Sequence, residues 1–100
     1  MDTLSETLQR VLTGYAGDML NGHSYLTTNV DETVFVIIGL GYIGDRHFVD
    51  TSLVARLVHN TIVIEYDVNN KPLIEALLAA GIPRNQIVLA YAGESTDAAA

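Results

Sequence analysis

The stretch VFVIIGLGYIGDRH, Val34 to His47, sets Gly39, Gly41 and Gly44 in the spacing G-x-G-x-x-G directly behind an apolar run. Glycines so placed let a backbone approach a pyrophosphate at the N-terminus of a following helix. Beyond the next apolar run, TIVIEYD, stand Glu65 and Asp67, either of which suits a ribose hydroxyl. The chemistry on offer is nucleotide binding by a small dinucleotide-binding, Rossmann-like half-domain. It requires Arg46–His59 to be a helix, because only then does the chain from Val34 read β-α-β-α-β.

The other reactive residue types form no recognisable catalytic set. His23, His47 and His59 lie far apart and lack paired metal-ligand spacing, so no metal site is expected. There is no cysteine, which excludes disulfides and thiolate chemistry and points to a cytoplasmic protein. Neither G-x-S-x-G nor a P-loop is present. Asp45-Arg46-His47, next to Tyr42, is the one compact polar group, and it reads as an exposed turn or a partner contact. Five basic residues against twelve acidic ones give a formal charge of −7, and Arg10, Arg46, Arg56, Lys71 and Arg84 do not cluster. Gripping a phosphate backbone takes clustered Lys and Arg, so direct nucleic-acid binding is not expected, nor is binding to an anionic membrane. The five tyrosines lack the basic flanks of a base-stacking platform.

One hundred residues, 49% of them apolar, suit a single globular domain, read here as residues 1–91 with a short flexible tail at 92–100. No apolar run is long enough to span a bilayer as a helix, and MDTLSETLQR does not read as a secretory signal. Leu4, Leu8, Val11, Leu12, Tyr15 and Met19 recur at helical steps, predicting an amphipathic helix from residue 3 to about 20. Thr3 and Glu6 have the form of a capping box, and Gly22 is a plausible stop. HSYLTTN suits a strand, Val30–Thr33 a turn, and Val34–Leu40 a strand covered on both faces.

TIVIEYDV is rich in β-branched residues and reads as a strand with Glu65 and Asp67 on one face. NNKPLIEALLAAG is a short helix with Asn70 as cap, Pro72 in the first turn and Gly81 as stop. A last strand is expected over Gln86–Tyr91. Periodicity leaves Arg46–His59 open. As a strand it puts Val49, Thr51, Leu53, Ala55 and Leu57 on one face, with Phe48, Asp50, Ser52, Val54 and Arg56 on the other. As a helix it aligns Val49, Leu53 and Leu57, yet presents a mixed face and carries Asp50, Thr51 and Ser52, which favour caps and turns.

Taken together, LTGYA, FVIIGLGYIGDRHF, NTIVIEYD and above all IEALLAAGIPRNQIVLAY resemble the XisI family, controlling factors for excision of the fdxN DNA element. Gly41-Tyr42 stands where that pattern has Gly-Trp. The resemblance implies that Arg46–Val58 is a strand and that Gly41-Tyr42 falls on or beside a strand-strand turn. It further implies an α+β fold of order α-β-β-β-β-α-β, one mostly antiparallel sheet with helices packed on it. The implied function is non-enzymatic and accessory: control of site-specific DNA excision through protein contacts, with a XisH-like protein or a recombinase as partner. No cofactor is expected on this reading. Tyr42, Asp45, Arg46 and His47 are the expected contact residues, and exposed sheet edges suggest a homo-oligomer, a dimer or higher. The nucleotide half-domain and a purely structural self-assembling subunit are the alternatives.

Overall fold

The computed structural model describes residues 3–95. A helix α1 (Leu4–Thr13) leads into β1 (Gly17–Met19), β2 (Gly22–Thr28), β3 (Val34–Ile43), β4 (Arg46–Val58) and β5 (Thr61–Asp67). Helix α2 (Leu73–Ala79) and β6 (Ile87–Leu89) complete the order α-β-β-β-β-β-α-β. The six strands form one sheet in sequence order, antiparallel throughout except for β6, which runs parallel to β5. The expected α+β class and mostly antiparallel sheet are borne out, with one short strand more than the sequence suggested.

That extra strand comes from the first helix, which ends at Thr13 rather than near residue 20. Gly14 caps it, and Gly17 adopts a φ of 133°, a backbone conformation foreign to a helix. Met19 therefore lies on β1, not on the helix face. The capping box is present as expected: Glu6 N–H donates to Thr3 Oγ1 at 3.1 Å and Thr3 N–H to Glu6 Oε1 at 3.0 Å. Leu8 and Leu12 from α1, and Leu73 and Leu77 from α2, close over Phe35, Ile37, Leu53, Ala55, Ile62 and Ile64 of the sheet. At roughly 1.5–3 kcal/mol for each large apolar side chain taken from water, this one-sided layer supplies most of the drive to fold.

Alternation along β4 breaks once. Ile37 pairs with Leu53 but Ile38 pairs with Thr51, so an extra residue bulges at Ser52. The bulge reassigns the faces read from strict alternation. Val49 and Thr51 share a face with Val54 and Arg56, whereas Phe48 and Asp50 share one with Leu53, Ala55 and Leu57. A second shift between Val54 and Ala55 separates Glu65 from Asp67. Glu65 pairs with Arg56 at 2.7 Å, while Asp67 turns toward α2, so the two acids do not share a face. Val34–Leu40 is not covered on both faces either. Phe35 and Ile37 are buried beneath the helices, but Val34, Val36 and Ile38 are only partly buried and Leu40 is 38% exposed.

Helix α2 starts two residues later than expected, with Pro72 rather than Asn70 at its N-cap position and no side-chain cap from Asn70. Asp67 takes that role from the end of β5. Its carboxylate accepts from Leu73 N–H at 2.6 Å and from Asn69 N–H at 3.0 Å. Gly81, with φ at 94°, follows the helix end as expected. The final strand is only Ile87–Leu89, followed by a single 3-10 turn at Ala90–Ala92. Glu94 accepts from Leu89 N–H at 2.9 Å and from Arg84 at 2.6 Å, and so holds the chain against the sheet there. Of the expected tail, positions 96–100 lie outside the described residues.

Candidate functional site

The glycine motif resolves into three separate structural jobs. Gly39 and Gly41 lie within β3, and both are buried. A Cβ at Gly41 would stand 2.1 Å from the Asn21 carbonyl oxygen and 2.8 Å from the Phe48 ring. Gly22 is equally tight, 2.0 Å from the Leu40 oxygen. Glycine is needed here because the β1–β2 tip crosses β3 closely, with Tyr42 N–H donating to Asn21 O at 2.9 Å. Gly39 opens a smaller space, filled by Met19, whose Sδ lies 3.4 Å from where a Cβ would stand.

The third glycine makes the turn. Ile43 pairs with Arg46, leaving the two-residue loop Gly44-Asp45, in which Gly44 has a φ of 67° and Asp45 does not take positive φ. Positive φ at the first loop residue alone is the pattern of a type II′ hairpin turn. The turn thus falls at Gly44-Asp45, three residues beyond Gly41-Tyr42, which the family pattern set on or beside the turn.

Behind this turn comes a strand paired to β3 from Arg46 onward, not a helix. Among the described residues no helix follows the glycines, since β4 does, so the helix N-terminus that would cradle a pyrophosphate is not built there. The hollow beside Gly39, about 300 Å³, carries Asp50 on its wall and no Lys or Arg. Asp67 is engaged at α2 and Glu65 with Arg56, so neither is poised for a ribose. The geometry rejects the nucleotide reading.

What the hairpin does present is a tip. Tyr42 and His47 are direct cross-strand partners, their ring centroids 5.0 Å apart at an interplanar angle of 37°. Asp45 and Arg46 project from the turn beside them, both exposed. The four residues singled out from the sequence are thus brought together at one end of the sheet. Register carries the same face inward from the tip: Leu40 lies opposite Val49 and His23, and Tyr25 opposite Ile38. His23 packs against Tyr25 at 4.6 Å and hydrogen-bonds Asp18 through Nδ1 at 2.9 Å. Tyr42 at 59% and Val49 at 61% exposure anchor an apolar and aromatic strip on the face that bears no helix.

Tyr25, Leu40 and Val49 escaped the sequence reading as members of this surface. The signal for Leu40 is the second set of alternating apolar residues in Val34–Leu40, which looked like burial on both sides; Tyr25 and Val49 join it only through the strand register. The histidines fall on β2, on β4 and in the β4–β5 turn, where His59 takes a φ of 55°. Among the described residues no group of three or more His, Asp or Glu side chains is placed to hold a metal ion, and no helix is long and apolar enough to cross a membrane.

Comparison with known proteins agrees with this geometry. No curated protein sequence matches. Among solved structures, a XisI-like protein from Anabaena variabilis ATCC 29413 superposes with a TM-score of 0.72 at 18% identity, over 85% of this chain and 81% of that one. The fdxN element excision controlling factor XisI of the same organism superposes with a TM-score of 0.65 at 21% identity, over 87% and 88%. These likenesses establish a shared fold. The family model for the XisI protein matches residues 1–99, nearly the whole sequence, and the chain belongs to the XisI family.

Proposed function

We propose that this chain is a non-enzymatic accessory factor in the control of DNA element excision, working through protein contacts rather than by handling DNA. Family membership supports the excision role. The observation that carries the contact role is the exposed tip Tyr42, Asp45, Arg46 and His47, continuous with the helix-free strip of Leu40, Val49 and Tyr25. An exposed apolar strip with a polar rim is the usual makeup of a protein-binding surface. A XisH-like protein or a recombinase is the partner class. With a net charge of −7, and with Arg56 and Arg84 engaged by Glu65 and Glu94, the surface is poorly suited to a phosphate backbone.

The test is excision itself. Deleting the gene in a host that excises such an element should change the yield of excised junctions. Wild-type protein should restore it, while the Tyr42→Ala/His47→Ala double variant, still folded by circular dichroism, should not. Full restoration by the double variant would remove the tip from the account. Unchanged excision in the deletion strain would remove the role.

A further inference from the structure

The β3–β4 hairpin outreaches its neighbour. Strand β5 joins β4 only from Leu53, which pairs with Asp67, and Val68 N–H reaches Ser52 O at 3.0 Å. The segment Arg46–Thr51 is bonded to β3 on one side and, among the described residues, has no strand on the other. In a two-residue hairpin the pair flanking the loop is hydrogen-bonded, here Ile43 and Arg46. Alternation then directs the backbone groups of Arg46, Phe48 and Asp50 toward β3, and those of His47, Val49 and Thr51 outward. The bond from Tyr42 N–H to Asn21 O, on the far side of β3, fixes the same parity. An outward row of free amides and carbonyls is a template for another strand.

Charged side chains normally guard such an edge, so their arrangement decides whether it can pair and with what. Arg46 and Asp50 are exposed, lie on one face, and take part in no ion pair among the described residues. We infer that Arg46–Thr51 pairs antiparallel with the same segment of a second copy about a two-fold axis at Phe48, setting Arg46 of each chain opposite Asp50 of the other. A two-fold perpendicular to the sheet keeps each side chain on its own face, so allowed registers differ by steps of two in the sum of paired positions. In the register centred on Phe48, both opposite-charge pairs form, and His47 exchanges backbone hydrogen bonds with Val49 of the other copy. One step either way sets Asp50 or Arg46 against Phe48 and leaves the charges unmatched. A sheet then runs unbroken through both copies, with the Tyr42–His47 tips at the junction. This assembly is independent of the excision role.

Charge exchange tests it by sedimentation equilibrium on the intact chain. Wild type should dimerise at micromolar concentration. Arg46→Asp and Asp50→Arg should each weaken dimerisation by about tenfold or more, because each replaces two attractive cross-strand pairs with repulsive ones. The double exchange Arg46→Asp/Asp50→Arg should recover most of the loss. Val49→Pro, which removes an outward N–H but no bond to β3, should give a monomer with an unchanged far-ultraviolet spectrum. A wild-type monomer at 100 µM (on the order of the concentration at which weak dimers form) would overturn the inference, as would a double exchange no better than the single variants. A monomer that holds an unrelated chain at this edge would overturn it as well.

Discussion

Gly41 shows how a motif can be spelled for one reason and read for another. Its Cβ position is occupied by the Asn21 oxygen and the Phe48 ring, so Gly41→Ala must push backbone apart and should lower stability by about 2–3 kcal/mol. Gly44→Ala meets no atom within 4 Å and pays only for its left-handed φ, about 1–2 kcal/mol. Chemical denaturation of the two variants checks that order, whereas a phosphate cradle would make both matter chiefly for nucleotide affinity. Titration adds a sign at Glu94, whose carboxyl lies below its ordinary 4.5 because Leu89 N–H and then Arg84 bind the ionised form. A lowered folded value contributes stability that is complete above the unfolded value and is lost as pH falls through the folded one. Glu94→Gln should therefore flatten the acid limb of the stability profile below about pH 4.5 and leave its shape near neutrality unchanged. The sequence marked Tyr42, Asp45, Arg46 and His47 as a group because they are adjacent. It did not mark Asp67 as a cap, since the α2 amide it serves is reached across a loop whose path no local pattern records.

Among the elements, the junction of β5 with α2 holds the two layers together. Asp67 accepts from Leu73 and Asn69, while Tyr15 at the end of α1 donates to Lys71 O at 2.9 Å. Asp67→Ala should cost about 1–2 kcal/mol and loosen amide protection at the start of α2 more than in the sheet, as hydrogen exchange would record. Burial, with Asp67 and Glu75 nearby, raises the Tyr15 phenol above its ordinary 10.0. A raised folded value means full stability below the unfolded value and loss as pH rises toward the folded one. Tyr15→Phe should flatten the alkaline limb above about pH 10 and cost about 1 kcal/mol at neutrality through the lost hydrogen bond. Legibility at this scale divided along local and non-local lines. The capping box of α1, the run of β5 and the stop at Gly81 are local signals and were readable. The end of α1 at Thr13 and the two bulges depend on which strand is available to pair, so periodicity carried α1 too far and assigned the faces of β4 wrongly.

For the whole molecule, a sheet covered on one side by two helices leaves the other side to be accounted for. Its strip of Tyr25, Leu40, Tyr42 and Val49 is apolar and aromatic yet exposed, and it runs into the hairpin tip. The overall class was legible because the signature helix and its following block resemble the XisI pattern, and family membership confirms that likeness. Whether the glycines meant a cofactor rested on one element, Arg46–Val58, and its pairing with β3 decides against the nucleotide reading. Thermal melting with millimolar NAD, FAD or ATP should accordingly give no shift, where a ligand at a hundred times its dissociation constant would add about 2.7 kcal/mol.

The most direct measurement is affinity capture of the tagged protein from its native host, comparing wild type with the folded Tyr42→Ala/His47→Ala variant. Wild type should retain a XisH-like protein or a recombinase in stoichiometric amount, and the variant should lose it. Equal recovery by both proteins, or no such partner with wild type, would contradict an accessory factor acting through this tip.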